Sequence, residues 1–122
     1  MMILKNIQQE MIRIKKAFGY STEGFKSAYK EEAAFRQELK LVLIVLPILI
    51  FIPLSLIAKT FIFISLMIIL IVELLNSAIE ATVDRISTEW HPLAKQAKDI
   101  GSAAVFLSLI NFIVVCVVAF MI

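Results

Sequence analysis

Acidic side chains recur along one face of a segment that is otherwise apolar. Glu73, Glu80 and Asp84 follow an apolar run that begins at Phe61. An α-helix turns about 100° per residue and points these three carboxylates within a few tens of degrees of one another. Asn76 flanks them on the same helix. With a rise of about 1.5 Å per residue, Glu73 is expected roughly 20 Å from the outer end of a membrane-spanning helix, still within the hydrocarbon. Glu80 is expected near the headgroups, and Asp84 beyond them.

A carboxyl group at the depth of Glu73 indicates a function, because inserting an ionisable side chain there costs about 3 kcal/mol. Such a group can act as a general base near neutral pH. The alternative is a polar contact between helices, with Glu73 paired to Asn76 or to a serine. That alternative explains the whole set less well, because three acids on one stripe repel one another unless a cation or a basic side chain joins them.

A second, mainly acidic cluster precedes the first predicted span and contains Glu31, Glu32, Arg36, Gln37 and Glu38. Glu32 and Arg36 lie four residues apart, a spacing that allows an ordinary intrahelical ion pair. At similar depth, however, Glu32 could meet Glu80 of the other helix. Two such carboxylates suit Mg²⁺, which prefers oxygen ligands and usually binds through one or two carboxylates plus phosphate.

The elements that must position these groups are apolar helices. Of the 122 residues, 61% are hydrophobic, and the mean hydropathy is +0.93. A soluble domain is normally about 45–50% apolar. A chain this short cannot cover that much apolar surface with polar groups, so the bilayer must act as its solvent. We therefore predict an all-α integral membrane protein.

The first part of the chain, residues 1–30, is predicted to be an amphipathic interfacial segment. Within 3–18, aliphatic residues recur at helical spacing opposite a basic face. This pattern is typical of a helix that lies in the membrane interface. Gly19, Ser21 and Gly24 follow it and are expected to break the helix.

The remainder, residues 31–122, is predicted to form a three-helix transmembrane domain. Its spans are expected at about 39–58, 61–83 and 100–122, with Lys59 and Thr60 marking the first turn. Eight of the 12 lysines and arginines precede the first span or lie at its start, three lie between the second and third, and Lys59 lies alone on the opposite side. Because basic residues favour the cytoplasmic side, the N-terminus and the second connection are expected in the cytoplasm and the C-terminus outside.

Composition excludes several kinds of site. Cys116 is the only cysteine and His91 the only histidine, so the chain can form neither an intrachain disulfide nor a Cys/His metal site. Its three glycines leave no glycine-rich phosphate loop of the GxxxxGKS/T or GxGxxG type. The residues alone predict a membrane protein with an acidic interfacial site that could bind a metal ion.

The same residues belong to longer strings, which are Gly19-Tyr20-Ser21, EAAFRQE (32–38), VELLNSAIEATVDR (72–85), Glu89-Trp90-His91 and AKDIGSAAV (97–105). Over nearly its whole length, the chain resembles the prokaryotic diacylglycerol kinases. The resemblance implies a homotrimeric lipid kinase that phosphorylates diacylglycerol with MgATP, with no nucleic acid as a partner. It also implies a multi-pass protein of the bacterial inner membrane with its active site at the cytoplasmic face.

The resemblance further implies roles for individual residues. Glu73 matches the general base of the family, and Asn76 matches a residue that positions the reacting groups. Mg²⁺ is implied at Glu32 and Glu80. The implied nucleotide contacts are Arg13, Tyr20, Glu32, Glu80, Glu89, His91, Lys98 and Asp99. The implied contacts of the lipid substrate are Arg13, Ser21, Arg36, Gln37, Glu73 and Ser102.

Three other functions compete with this interpretation. Undecaprenol kinase is a sister activity on the same fold, although the EAAFRQE and GSAAV strings resemble the diacylglycerol branch. A small proton-coupled transporter also uses an intramembrane glutamate, but normally in the first of four spans, whereas Glu73 is predicted in the second of three. A non-catalytic membrane adaptor would need no stripe of carboxylates.

Overall fold

Four helices form the chain: α1 (Met2–Glu31), α2 (Ala33–Phe51), α3 (Leu56–Ile86) and α4 (Pro92–Met121). The structure is a computed structural model that describes all 122 residues. It confirms the all-α class that was predicted from the apolar periodicity. The chain divides into two compact units, Met1–Ala33 and Ala34–Ile122, and each is described by itself.

The first unit consists of α1, which is a single uninterrupted helix. The predicted break at Gly19 and Gly24 is therefore wrong, although each glycine in a helix interior costs about 1 kcal/mol relative to alanine. The hydroxyls of Ser21 and Thr22 each donate a hydrogen bond of 3.0 Å to the carbonyl oxygen four residues earlier. Ser21 and Thr22 therefore lie within the helix, between the two glycines, and do not end it. The aliphatic stripe of α1 is exposed throughout its length.

In the second unit, the break between α2 and α3 lies at residues 52–55, ahead of the turn predicted at Lys59 and Thr60. Pro53 ends α2, because proline has no backbone N–H and its ring clashes with the preceding turn. Ser55 then begins α3, and its hydroxyl accepts a hydrogen bond of 3.2 Å from the backbone of Ala58. Lys59 Nζ donates to the carbonyl of Ile50 at 2.9 Å and so caps the end of α2.

The core of the second unit lies along one stripe of α3. Buried residues on this stripe recur every three or four positions: Ala58, Ile62, Ser65, Leu66, Ile69, Glu73 and Asn76. The first half of this stripe, from Ala58 to Leu66, packs with Val42 and Leu49 of α2 and with Ala119 of α4, as expected of antiparallel helices. The stripe that carries the aliphatic core therefore ends in two buried polar side chains.

Two helices, α3 and α4, are long and apolar enough to cross a membrane by length and composition. They contain 31 and 30 residues, which at about 1.5 Å per residue gives roughly 45 Å. A hydrocarbon core is only about 30 Å thick. Both helices therefore have enough length to carry their polar ends, and the connection between them, beyond the hydrocarbon.

Candidate active site

Glu73 is the most deeply buried charged residue and is only 4% exposed. Its side chain meets Glu38 of α2, and the two carboxyl groups lie within hydrogen-bonding distance of each other. Apart from this contact, Oε2 of Glu38 is buried without a hydrogen-bond partner. Two carboxylates in direct contact repel each other strongly when both are ionised. Such a contact is therefore favourable only when at least one of the two carboxyl groups is protonated.

The sequence had placed Glu38 in an acidic cluster without giving it a role. A usable signal was present, because Glu38 directly precedes one apolar run and Glu73 directly ends the next. When two apolar runs pack antiparallel, the start of the first run lies level with the end of the second. Glu38 is thus the site residue that the sequence interpretation missed.

Asn76 lies one turn beyond Glu73 and packs against Gly101 of α4. A Cβ atom at Gly101 would overlap Asn76 Oδ1, so the absence of a side chain there lets α4 approach the amide. Asn76 Oδ1 and Ser77 Oγ are both buried and have no hydrogen-bond partner. An unpartnered buried polar atom costs about 1–3 kcal/mol. This turn of α3 therefore carries hydrogen-bonding capacity that a hydroxyl-bearing substrate could use.

Glu80 and Asp84 continue the acidic face toward the end of α3. Glu80 is half-buried and Asp84 is exposed. Asp84 Oδ1 accepts a hydrogen bond of 2.7 Å from Lys98 Nζ, which joins the end of α3 to the start of α4. Lys98 precedes the apolar part of α4, and the hydrogen bond to Asp84, with the nearby charge of Glu80, raises the pKa of its ammonium group. Lys98 is therefore held as a cation at the end of the acidic stripe.

A polar cleft of about 310 Å³ opens where α3 ends and α4 begins. It brings together the four residues of this region that were expected at the nucleotide, Glu89, His91, Lys98 and Asp99. Asp99 also forms an ion pair with Lys95 at 2.5 Å. The cleft thus holds two lysines, Lys95 and Lys98, each paired with a carboxylate, beside the hydrogen-bonding groups of Glu89 and His91.

His91 has a structural task in this cleft, because it caps α4. Its Nδ1 accepts a hydrogen bond of 3.1 Å from the backbone N–H of Leu93. A neutral imidazole that accepts at Nδ1 carries its proton on Nε2. The cap therefore leaves Nε2–H as the hydrogen-bond donor available to a ligand.

The remaining predicted site residues lie in the first unit and on α2 and α4 of the second. Arg13 is exposed and paired with Glu10 at 3.3 Å, and Tyr20 is also exposed. The hydroxyl of Ser21 is engaged with its own helix. Glu32 directly follows α1, and its backbone N–H donates to the carbonyl of Ala28 at 2.9 Å. Of the predicted lipid contacts in the second unit, Arg36 is half-buried in α2, Gln37 beside it is exposed, and Ser102 is exposed on α4.

The carboxylates also bear on metal binding. No group of three or more His, Cys, Asp or Glu side chains is arranged to hold a metal ion. The expected set has only two carboxylates, Glu32 and Glu80, and this number suits Mg²⁺ when phosphate oxygens supply other ligands. Glu32 lies in the first unit and Glu80 in the second, so the Mg²⁺ site stays a prediction.

Comparison with known proteins decides the family. A model of the family described as prokaryotic diacylglycerol kinase matches residues 19–120. The chain belongs to this family. The diacylglycerol kinase of Pseudomonas aeruginosa is 49% identical over 102 residues, which cover 84% of this chain and 83% of that protein. The diacylglycerol kinase of Escherichia coli K12 is 49% identical over 98 residues, 80% of each chain. One from Helicobacter pylori is 44% identical over 103 residues, 80% of this chain and 77% of that protein.

Membership of the prokaryotic diacylglycerol kinases confirms the resemblance drawn from the sequence strings. The protein is an ATP-dependent lipid kinase. The transporter and adaptor interpretations lose their support, because the family match covers α2, α3 and nearly all of α4. The buried carboxylates and the polar cleft are therefore considered below as parts of a phosphoryl-transfer site.

Proposed function

We propose that the protein transfers the γ-phosphate of ATP to the primary hydroxyl of diacylglycerol and yields phosphatidic acid and ADP. The observation that carries this proposal is the position of Glu73. It is buried where the aliphatic core of α3 ends, and the polar cleft opens at the far end of the same helix. A base at this position can meet a lipid hydroxyl from the apolar side, while ATP approaches from water.

In the proposed reaction, Glu73 acts as the general base. Its carboxylate takes the proton of the lipid hydroxyl as the hydroxyl oxygen forms a bond to the γ-phosphorus. The bond from that phosphorus to the β–γ bridging oxygen breaks, and ADP leaves with its electron pair. The amide of Asn76 orients the reacting groups. Enzymes catalyse such transfers mainly by positioning the reactants and stabilising charge.

The cleft residues would bind the triphosphate. Lys98 offers a cation and His91 an Nε2–H donor, and Glu89, Asp99, Arg13 and Tyr20 are proposed as further nucleotide contacts. Glu32 and Glu80 would hold Mg²⁺, which, when bound, neutralises charge on the phosphate oxygens. For the lipid, the proposed contacts besides Glu73 are Arg13, Ser21, Arg36, Gln37 and Ser102.

We further propose three membrane spans, with α2 as the first. This helix has 19 residues, which at about 1.5 Å each gives roughly 28 Å, close to the thickness of the hydrocarbon. The basic residues favour a cytoplasmic N-terminus and active site in the bacterial inner membrane. The exposed aliphatic stripe of α1 supports its placement in the interface. A homotrimer is proposed from the family resemblance.

The test is transfer of ³²P from MgATP to diacylglycerol in mixed micelles, with undecaprenol in a parallel tube. We expect labelled phosphatidic acid that disappears when Mg²⁺ is omitted. Glu73→Gln should lower kcat by about 10²- to 10⁴-fold, because the amide cannot accept the proton. Binding of MgATP should be nearly unchanged, since Glu73 contacts the lipid.

The matched control is Glu23→Gln, because Glu23 is an exposed carboxylate on α1, paired only with Lys26. It should retain wild-type activity. Loss of nucleotide binding in Glu73→Gln would remove Glu73 from the role of base. Preference for undecaprenol would keep the mechanism and change the substrate. Transfer to neither lipid by a folded, oligomeric protein would refute the proposed reaction.

A further inference from the structure

An apolar groove of about 380 Å³ lies beside the connection between α2 and α3, at the opposite end of α3 from the polar cleft. Aliphatic and aromatic side chains of both helices form its walls, among them Leu46, Leu49, Leu56 and Phe63. Two polar residues, Lys59 and Thr60, also line it. The Thr60 hydroxyl already donates a hydrogen bond of 2.8 Å to the carbonyl oxygen of Leu56. The ammonium group of Lys59 is therefore the feature that distinguishes this groove from a plain apolar surface.

Lys59 brings to the groove a positive charge that no carboxylate of the chain neutralises. Its Nζ donates to the carbonyl oxygen of Ile50 at 2.9 Å, and an ammonium group has two further N–H donors. Lys59 takes part in none of the ion pairs of the chain. It is the only charged residue from position 41 to position 72, and its side chain is half-buried. A half-buried cation without a counter-ion favours an anionic ligand.

In the proposed three-span topology, the groove lies where the outer side of the hydrocarbon meets the headgroups. Lys59 and Glu73 lie 14 residues apart on α3, which at about 1.5 Å per residue is roughly 21 Å. The groove is therefore separate from the proposed reaction site. Diacylglycerol carries no negative charge, so the proposed substrate would not neutralise Lys59.

A second copy of the chain would not supply the missing negative charge. All ten Asp and Glu side chains lie within residues 10–38 or 73–99, and copies in the same membrane orientation hold those segments on the cytoplasmic side. A phospholipid carries its phosphate at the edge of the hydrocarbon and its acyl chains inside it. One such molecule matches both the cation and the apolar walls of the groove.

We propose that this groove binds one anionic phospholipid of the outer leaflet, with the phosphate on Lys59 Nζ and an acyl chain against Leu49 and Phe63. The inference rests on the proposed three-span topology and not on the phosphoryl transfer. Anionic lipids bind better than zwitterionic ones, because the ammonium group of a zwitterionic headgroup competes with Lys59 for the phosphate. The expected preference is about fivefold, which corresponds to about 1 kcal/mol for one lysine at a membrane surface.

Quenching of tryptophan fluorescence by brominated lipids tests the proposal at the groove itself. Trp90 is the only tryptophan, so Phe63→Trp in a Trp90→Phe background reports on the groove alone. The full chain is reconstituted into phosphatidylcholine vesicles that contain increasing fractions of phosphatidylglycerol or phosphatidylcholine brominated on the acyl chains. Half-maximal quenching should need about fivefold less brominated phosphatidylglycerol than brominated phosphatidylcholine. Lys59→Met should remove this preference, and Lys59→Arg should retain it, because the guanidinium group keeps the charge.

Ile113→Trp in the same Trp90→Phe background is the matched control, because Ile113 is exposed on α4 and does not line the groove. It should show no preference between the two lipids. Equal quenching of Phe63→Trp by both lipids would overturn the inference, and so would a preference that survives Lys59→Met or that Ile113→Trp shares. Absence of quenching by either lipid would mean that another copy covers the groove, and would also overturn it. The comparison of the two reporters does not depend on the folding of Lys59→Met.

Transfer of ³²P by the wild-type protein in the same vesicles separates this inference from the proposed function. A lipid preference at Phe63→Trp without any transfer by the wild type refutes the reaction and leaves the lipid site standing. Transfer by the wild type without a preference at Phe63→Trp refutes the lipid site alone.

Discussion

Buried polar side chains at the end of the α3 core stripe form the proposed chemical centre of this kinase. Glu73, Asn76 and Ser77 share one turn of that helix, and Glu38 reaches the same turn from α2. Each carries hydrogen-bonding capacity into a region where water is scarce, so each lowers stability unless it is used. We interpret the stability that is lost by burying these side chains as the cost of placing a base next to a lipid hydroxyl.

At the residue scale, Lys98 is predicted to bind the phosphates of ATP in exchange for its ion pair with Asp84. Lys98→Met should raise the KM for MgATP by about tenfold, since a charge-assisted hydrogen bond is lost. Asp84→Asn should leave that KM near or below the wild-type value, because it removes the competing carboxylate. Steady-state kinetics at varied MgATP would measure both effects. Lys26→Met, at another exposed ion pair, is the control, and an unchanged KM in Lys98→Met would exclude Lys98 from the nucleotide site.

At the element scale, Gly101 on α4 leaves room for the side chain of Asn76 on α3. A methyl group there would collide with Asn76 Oδ1, which is the end of a side chain and can swing aside. Only the amide needs to move, so the helix pair should survive while Asn76 loses its position. This geometry separates an effect on catalysis from an effect on folding.

We therefore expect Gly101→Ala to lower kcat by about 10- to 100-fold and to shift the thermal unfolding midpoint little. Gly24→Ala is the matched control, because a Cβ at Gly24 meets no atom within 4 Å. It should keep full activity and stabilise α1 by about 0.5–1 kcal/mol, through higher helix propensity. A Gly101→Ala variant with wild-type kcat would show that the position of Asn76 does not matter for the transfer.

At the scale of the whole molecule, the outer faces of α3 and α4 are covered with exposed aliphatic and aromatic side chains, including Phe106, Leu107, Ile113 and Val117. Soluble monomers rarely expose contiguous apolar surface of this extent. Lipid, other copies of the chain, or both must cover these faces. The number of spans then decides which connections face the cytoplasm.

Thiol labelling tests the proposed three-span topology in a Cys116→Ser background. Single cysteines at Lys5, Thr60 and Thr88 report on the N-terminus, the first turns of α3 and the connection between α3 and α4. An impermeant maleimide should label only Thr60→Cys on intact spheroplasts, and should label the other two only after the membrane is opened. Labelling of Thr60→Cys and Thr88→Cys from the same side would mean that α3 does not cross the bilayer.

The sequence by itself determined the helical class, the membrane environment and the acidic stripe of α3, because these depend on composition and on spacing along one helix. It also identified Glu73 as the unusual residue, since a carboxyl group that ends an apolar run is visible without coordinates. The reaction was predicted from the sequence strings that resemble those of prokaryotic diacylglycerol kinases. The local sequence pattern misplaced two helix boundaries. Gly19 and Gly24 do not end α1, and Pro53, not Lys59, separates α2 from α3.

Only the tertiary structure decided which distant residues meet. The contacts of Glu38 with Glu73, of Asn76 with Gly101 and of Asp84 with Lys98 each join two different helices. Helical periodicity fixes the face on which a side chain lies, but the register between two helices depends on where the chain bends and how closely the helices pack. The Pro53 break lets α2 fold back beside α3, and the missing side chain at Gly101 leaves room for the Asn76 amide beside α4.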